Sequence, residues 1–388
     1  VAHTHARKDC RAADGQERRS LFPEGSGMTY LTWGDRPPEN FFDGSRARIL
    51  ELQRDNGAIP WYDGGVVDPW NHTEAAMGLT VLGEIDHARR AFRYLAETQL
   101  KDGSWWGQLG SAVPFDEEEQ RFTGEEEDAG HPIRDTNFAA YIATGAWHHF
   151  LITRDRKWLS DIWPHVEAAM GFVLAHQSEH GDIRWAANDP HTPEDDALVT
   201  GCSSIYKSLE CAAQIARELG QPSRAFMEAR ARLGKALRDM PHRFDRTWEP
   251  KDRYSMDWYY PVLAGVVTGE AARKRLATKW DIFVAEGKGC RCVLDQPWVT
   301  VAESAELTMA LLVAGQRREA EAMLSWQHQW RADCGAYWMG YQFVDEVAWP
   351  AEKPAWTAAA VILATDAVAG LTPAARLFAE RTLAEAAE

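Results

Sequence analysis

The chain has 388 residues, 45% of them hydrophobic, with a net charge of −16 and a mean hydropathy of −0.43. So acidic a surface repels phosphate backbones and anionic lipid, which argues against nucleic-acid and membrane partners. No apolar run approaches the roughly 20 residues that span a bilayer, and six cysteines without a C-x-x-C pair read as reduced thiols, so a cytoplasmic location is expected.

Residues 1–27 are polar and without period, and read as a loose arm; 28–388 are expected to form one domain. From about residue 42 onward the apolar residues follow a helical period, and alternating strand runs are nearly absent. Two kinds of helix alternate. Amphipathic ones are expected near 42–55, 84–100, 155–178, 221–239, 269–286, 316–331 and 373–387. Helices apolar nearly all round begin near Asn71, Asp135, Gly201, Trp258, Val301 and Ala355. A helix apolar on every face must be buried on every face. Six inner helices ringed by outer ones make an all-α fold, an (α/α)6 toroid.

A second repeat follows the outer helices: Gln, a few polar residues, Gly, then Trp. It appears as Gln53…Gly57…Trp61, Gln99…Gly103…Trp105, Gln177…Gly181…Trp185 and Gln327…Gly335…Trp338. Gly suits the left-handed turn that ends a helix. The pattern resembles the QW repeat of the triterpene cyclase and prenyltransferase superfamily, which implies the toroid and leaves isoprenoid chemistry open. Against that chemistry, the nearest string to the Asp-x-Asp-Asp of class II cyclases is Pro193-Glu194-Asp195-Asp196, which lacks the first Asp.

In such a toroid the outer-to-inner connections share one rim. Here they are long and rich in Trp and carboxylates, whereas the inner-to-outer turns are short and plain, so the functional surface is expected at that rim. Aromatic faces stack on pyranose C–H surfaces, polar groups meet hydroxyls, and two carboxylates perform the acid and base work of glycoside hydrolysis. A non-catalytic sugar-binding toroid would show the same aromatic rim.

Asp68 precedes the first inner helix, where an Asp before Pro also serves as an N-cap. Glu303 falls in the first turn of an otherwise apolar helix, where an unpaired carboxylate is costly. These two are the expected acid/base pair, with Glu303 as base. Asp135 and Asp257 hold equivalent junctions and are reserve catalytic groups, hydroxyl ligands or caps. Sugar contacts are expected from Trp61, Asp63, Trp70, Asn71, Trp105, Arg134, Asn137, Trp258, Tyr259, Trp298, Trp338, Tyr341, Asp345 and Glu346. The acidic insert at 112–131 reads as a solvated loop. His148-His149 and Cys290-Arg291-Cys292 lack a complete ligand set, so no metal or cofactor is called for.

Six blocks, DPWNHTEAAM, RDTNFAAYIATGAWHH, TGCSSIYKSLECA, YSMDWYYPVL, PWVTVAESAEL and WPAEKPAWTAAAVIL, span roughly 48–370. Together they are similar to the mycobacterial hydrolases of methylmannose polysaccharide, which are α-endomannosidases. The resemblance implies an α-mannosidase activity with Asp68 and Glu303 at catalytic positions. It also implies an Asp in that group where this chain has Asn71.

Overall fold

The computed structural model describes residues 37–38, 40–109, 115–116, 121–122, 133–187, 195–247 and 253–379. The outer α1 (Asp43–Leu52) leads to the inner α2 (Pro69–Val81), α3 (Ile85–Thr98) to α4 (Thr136–Thr153), and α5 (Arg156–Ala175) to α6 (Val199–Leu219). The second half repeats the scheme. There α7 (Arg224–Asp239) leads to α8 (Ser255–Leu263), α9 (Gly269–Thr278) and the short α10 (Trp280–Phe283) to α11 (Val301–Val313), and α12 (Arg317–Gln327) to α13 (Ala355–Ala369).

The inner helices pack in the order α2, α4, α6, α8, α11, α13, and α13 returns to α2. The ring is closed. Residues of α4 from Ala139 to Phe150 are all buried, as are those of α13 from Thr357 to Asp366, whereas α3 buries one stripe through Ala88, Ala91, Phe92 and Leu95. The arm expected over 1–27 lies outside the described residues. A seventh outer helix expected over 373–387 does not begin where described: Thr372 donates to Asp366 through its backbone N–H and hydroxyl, and residues 373–379 run through turns.

The glycine repeat is the joint between neighbouring units. Gln99, just past α3, donates through Nε2 to the carbonyls of Gly103 and of His165 on α5, both at 2.9 Å. Gln53 does the same with Gly57 and His87 on α3, and Gln177 with Gly181 and Ala229 on α7. Each amide thus ties a helix end, its turn and the next outer helix. In the fourth copy Gln327 bonds back to Met323 within its own helix, and Arg331 Nε takes the carbonyl of Gly335 instead.

Gly103 has φ +91°, and a Cβ there would lie 2.1 Å from the carbonyl oxygen of Ala168 on α5. Gly103→Ala is therefore expected to destabilise the protein by about 2–4 kcal/mol, from a strained backbone and a forced separation of helices. Urea unfolding measures it; an unchanged midpoint would mean that the joint yields freely.

Short strands decorate the rim. A two-residue pair, β1 (Phe115–Asp116) with β2 (Arg121–Phe122), falls in the acidic insert, most of which lies outside the described residues. Next, β3 (Arg134–Asp135) pairs with β4 (Ala186–Ala187). Then β5 (Val284–Ala285), β6 (Gly289–Arg291), β7 (Trp298–Thr300), β8 (Gly340–Gln342) and β9 (Val347–Ala348) form an antiparallel sheet in that order. Sequence periodicity hides these strands, because segments of two or three residues are too short to alternate. All lie in outer-to-inner connections, so they thicken one end of the toroid only. No helix of the described residues is long and apolar enough to cross a membrane.

Candidate active site

Asp68 is the N-cap of α2: its backbone is extended, and its Oδ1 accepts the Asn71 backbone N–H at 2.9 Å. Capping uses one oxygen. The other accepts Asn71 Nδ2 at 2.8 Å and the indole N–H of Trp61. The carboxyl is 1% exposed, and burial pushes its pKa upward against the pull of those donors.

Glu303 projects from the first turn of α11, a helix that does not neighbour α2, because α13 stands between them. It is 8% exposed, and its Oε2 is buried without a hydrogen-bond partner. A buried carboxylate oxygen lacking a donor is costly, and such atoms mark places where water or a ligand belongs. The Cys292 thiol faces the same carboxyl.

Two further acids lie in the same cluster. Glu74 on α2 is buried, and burial together with the charges of Asp68 and Glu303 pushes its pKa up to about 8. Glu306, one turn beyond Glu303, accepts the hydroxyl proton of Tyr259 and is raised by burial and by Glu74. Tyr141 and Tyr260 face this pair, and Trp70 packs against both tyrosines at 5.6 and 5.8 Å between ring centroids. Both acids escape sequence reasoning. Yet both share the feature that isolates Glu303, a carboxylate in a helix apolar on every side.

Asp135 caps α4, accepting from the N–H groups of Asn137 and Phe138, and burial and the charge of Asp68 bring its pKa to about 7. The cluster thus draws carboxyls from three inner helices. Asp257 accepts from Thr200 Oγ1 at 2.6 Å and holds α8 to α6.

The expected sugar contacts divide sharply. Trp61, Asn71 and Trp70 surround Asp68 and the cluster, and Asn137 is buried at the start of α4. Trp105 is instead fully buried, its N–H donating to the Leu95 carbonyl, and Trp258 donates to Arg275 and stacks on Phe283. Tyr259 is buried on Glu306. Tyr341 stacks on Trp330 at 4.1 Å, and Lys353 Nζ lies 4.0 Å over Trp338. Trp298 is half-buried in β7. Asp63 pairs with Arg48 at 2.9 Å and Arg134 with Asp102, while Asp345 and Glu346 sit exposed in the β8–β9 turn.

Other sequence features are structural. Asp196 accepts the Thr247 N–H and hydroxyl, anchoring a loop. His148 and His149 are buried in the core, with pKa values pushed down to about 3 by burial. Among the described residues no group of three or more His, Cys, Asp or Glu side chains is placed to hold a metal.

No family model matches the chain. It is 44% identical over 330 residues to MMP endo-(1,4)-3-O-methyl-alpha-D-mannosidase of Mycolicibacterium hassiacum, covering 85% of this chain and 86% of that protein. Among solved structures, a wild-type glycosidase superposes with a TM-score of 0.63 at 15% identity, covering 86% of this chain and 97% of its own. The GH63 mannosylglycerate hydrolase of Thermus thermophilus, in complex with Tris and D-glycerate, gives 0.61 at 12% identity, covering 83% and 99%. At such identities the likeness is one of fold, and that fold is the helical toroid. The sequence relationship goes further: the chain belongs to the family of MMP endo-(1,4)-3-O-methyl-alpha-D-mannosidase and is a glycosidase.

Proposed function

We propose that the protein hydrolyses internal α-(1,4) bonds of an O-methylated mannan with inversion, using Asp68 as general acid and Glu303 as general base. The observation that carries this reading is the pair of buried carboxyls brought from two non-adjacent inner helices, one of them with an unpartnered oxygen. The relative's named activity supplies the substrate class.

The chemistry follows from the two environments. Burial favours the protonated form of Asp68, which donates its proton to the glycosidic oxygen as the C1–O bond breaks. Trp61 and Asn71 then stabilise the carboxylate that remains. Glu303 Oε2 takes a proton from a water that attacks C1 from the opposite face, and the product leaves with inverted configuration. The raised pKa values of Glu74 and Glu306 favour their neutral forms, which spares Glu303 two like charges. Asp135 and Asp257 serve as hydroxyl ligands or caps in this scheme. Free thiols at the five described cysteines fit action in the cytoplasm.

Incubation with a long 3-O-methylated α-(1,4)-manno-oligosaccharide, followed by mass spectrometry, tests the proposal. Products of intermediate length are expected first. Release of single sugars from one end would contradict endo action, and an uncut substrate would remove the reading altogether.

A further inference from the structure

A cavity of about 110 Å³ opens between the N-terminal ends of α4 and α6, walled on one side by Trp70. One part of it is apolar: Ile183, Leu198, Cys202 and Ile205 line it, and all but Leu198 are buried to 1% exposure or less. Its polar part holds Asp135 and Asn137, together with Thr136 and Thr200, whose hydroxyls donate to the Arg184 carbonyl and to Asp257. Asp135 Oδ1 is occupied by the backbone N–H groups that it caps. Asn137 is 4% exposed, and its Oδ1 is buried with no hydrogen-bond partner. That oxygen asks for a donor.

Trp70, which walls the cavity, stands two residues past Asp68 in the first turn of α2 and packs on Tyr141 and Tyr260, so the cavity adjoins the acid cluster. A sugar hydroxyl pushed into the apolar part would lose its hydrogen bonds to water and find none in return. A methyl ether carries no proton to satisfy, and its methyl gains from leaving water. In an internal 3-O-methyl-α-(1,4)-mannose unit, O3 is methylated and O4 is in the chain, so the ring hydroxyl beside the ether is at C2.

We propose that this cavity is the subsite that recognises the O-methyl group, with the methyl among Ile183, Leu198, Cys202 and Ile205 and the neighbouring C2 hydroxyl donating to Asn137 Oδ1. The inference rests on the proposed function and deepens it. It makes the enzyme selective for methylated over plain mannan by an apolar recess beside one orphaned acceptor.

Gly201 lines the cavity and provides the test. A Cβ there would meet only Asn137 Cβ at 3.6 Å and Leu198 Cβ at 4.0 Å, which is ordinary contact. Gly201→Ala and Gly201→Val therefore fill the recess in two steps, the first without strain. In the Glu303→Gln background, calorimetry gives the affinities of methylated and plain α-(1,4)-manno-oligosaccharides of equal length. The Glu303→Gln protein is expected to bind the methylated form at least 10-fold tighter, and Gly201→Ala is expected to shrink that preference several-fold. With Gly201→Val the preference should fall below twofold. Equal affinities before filling, or a preference that survives both substitutions, would overturn the assignment. Cleavage by the wild-type protein separates the two claims: a cut methylated substrate with an unmoved preference sinks the cavity alone, whereas an uncut one sinks the proposed function.

Discussion

Glu303→Gln is expected to lower kcat on a 3-O-methylated α-(1,4)-mannan by about 10³-fold with little change in KM, as befits removal of a general base. Glutamine keeps the shape of the side chain but accepts no proton from the attacking water. Glutamine also keeps the volume of the side chain, and an unchanged urea midpoint of the variant would separate loss of the base from loss of folding. Asp68→Asn should be about as damaging to the natural substrate, with a different signature. An aryl glycoside with a strongly acidic leaving group needs no proton, so it should recover activity in Asp68→Asn and not in Glu303→Gln. The alkaline limb of the kcat profile, set by the raised pKa of Asp68, should vanish with that residue. Equal rescue of both variants by the activated glycoside would contradict the assignment of roles.

Glu74→Gln is expected to stabilise the protein, increasingly so as the pH rises. The folded state holds the Glu74 proton up to about pH 8, whereas an unfolded glutamic acid loses it near 4.5. Folding in that window takes up a proton, so the stability associated with this group is complete below about 4.5 and is lost as the pH climbs towards 8. Glutamine carries no such penalty and keeps the volume. Urea unfolding should show the variant gaining about 2–4 kcal/mol over the parent at pH 8 and under about 1 kcal/mol at pH 5. Parallel stability curves for the two proteins would mean that Glu74 is ionised in the fold, or that its neighbours compensate for the charge.

The toroid is legible in the sequence because burial writes itself into composition. Helices such as α4 and α13, apolar or small on every face, have no place but an inner wall, and the expected starts of the inner helices fall within three residues of the observed ones. The Gln-Gly-Trp repeat is legible too, and the structure explains it: the amide and the glycine join adjacent units, which any chemistry housed in a toroid needs. This is why the repeat resembles that of isoprenoid enzymes in a chain that is a glycosidase.

The site is legible in part. Asp68 and Glu303 stand out by local context, but Glu74 and Glu306 are not distinguished until the ring closes and sets them beside the other acids. Tryptophan misleads for a physical reason. An indole at the repeat position can donate to a candidate acid, as Trp61 does to Asp68, or spend its N–H on a backbone carbonyl, as Trp105 does on that of Leu95. Both uses favour the same residue at the same repeat position. The five-stranded sheet escapes notice because its strands come from two separate segments, at 284–300 and 340–348, and pair only once α11 and α12 fold between them.

Proton NMR of the first turnovers on a 3-O-methylated α-(1,4)-manno-oligosaccharide tests the acid/base assignment most directly. Hydrolysis by the Asp68 and Glu303 pair predicts that the new reducing end appears as the β-anomer, with the α-anomer growing in later by mutarotation. An α-anomer formed first would mean retention through a covalent intermediate, and the single-displacement mechanism would be wrong.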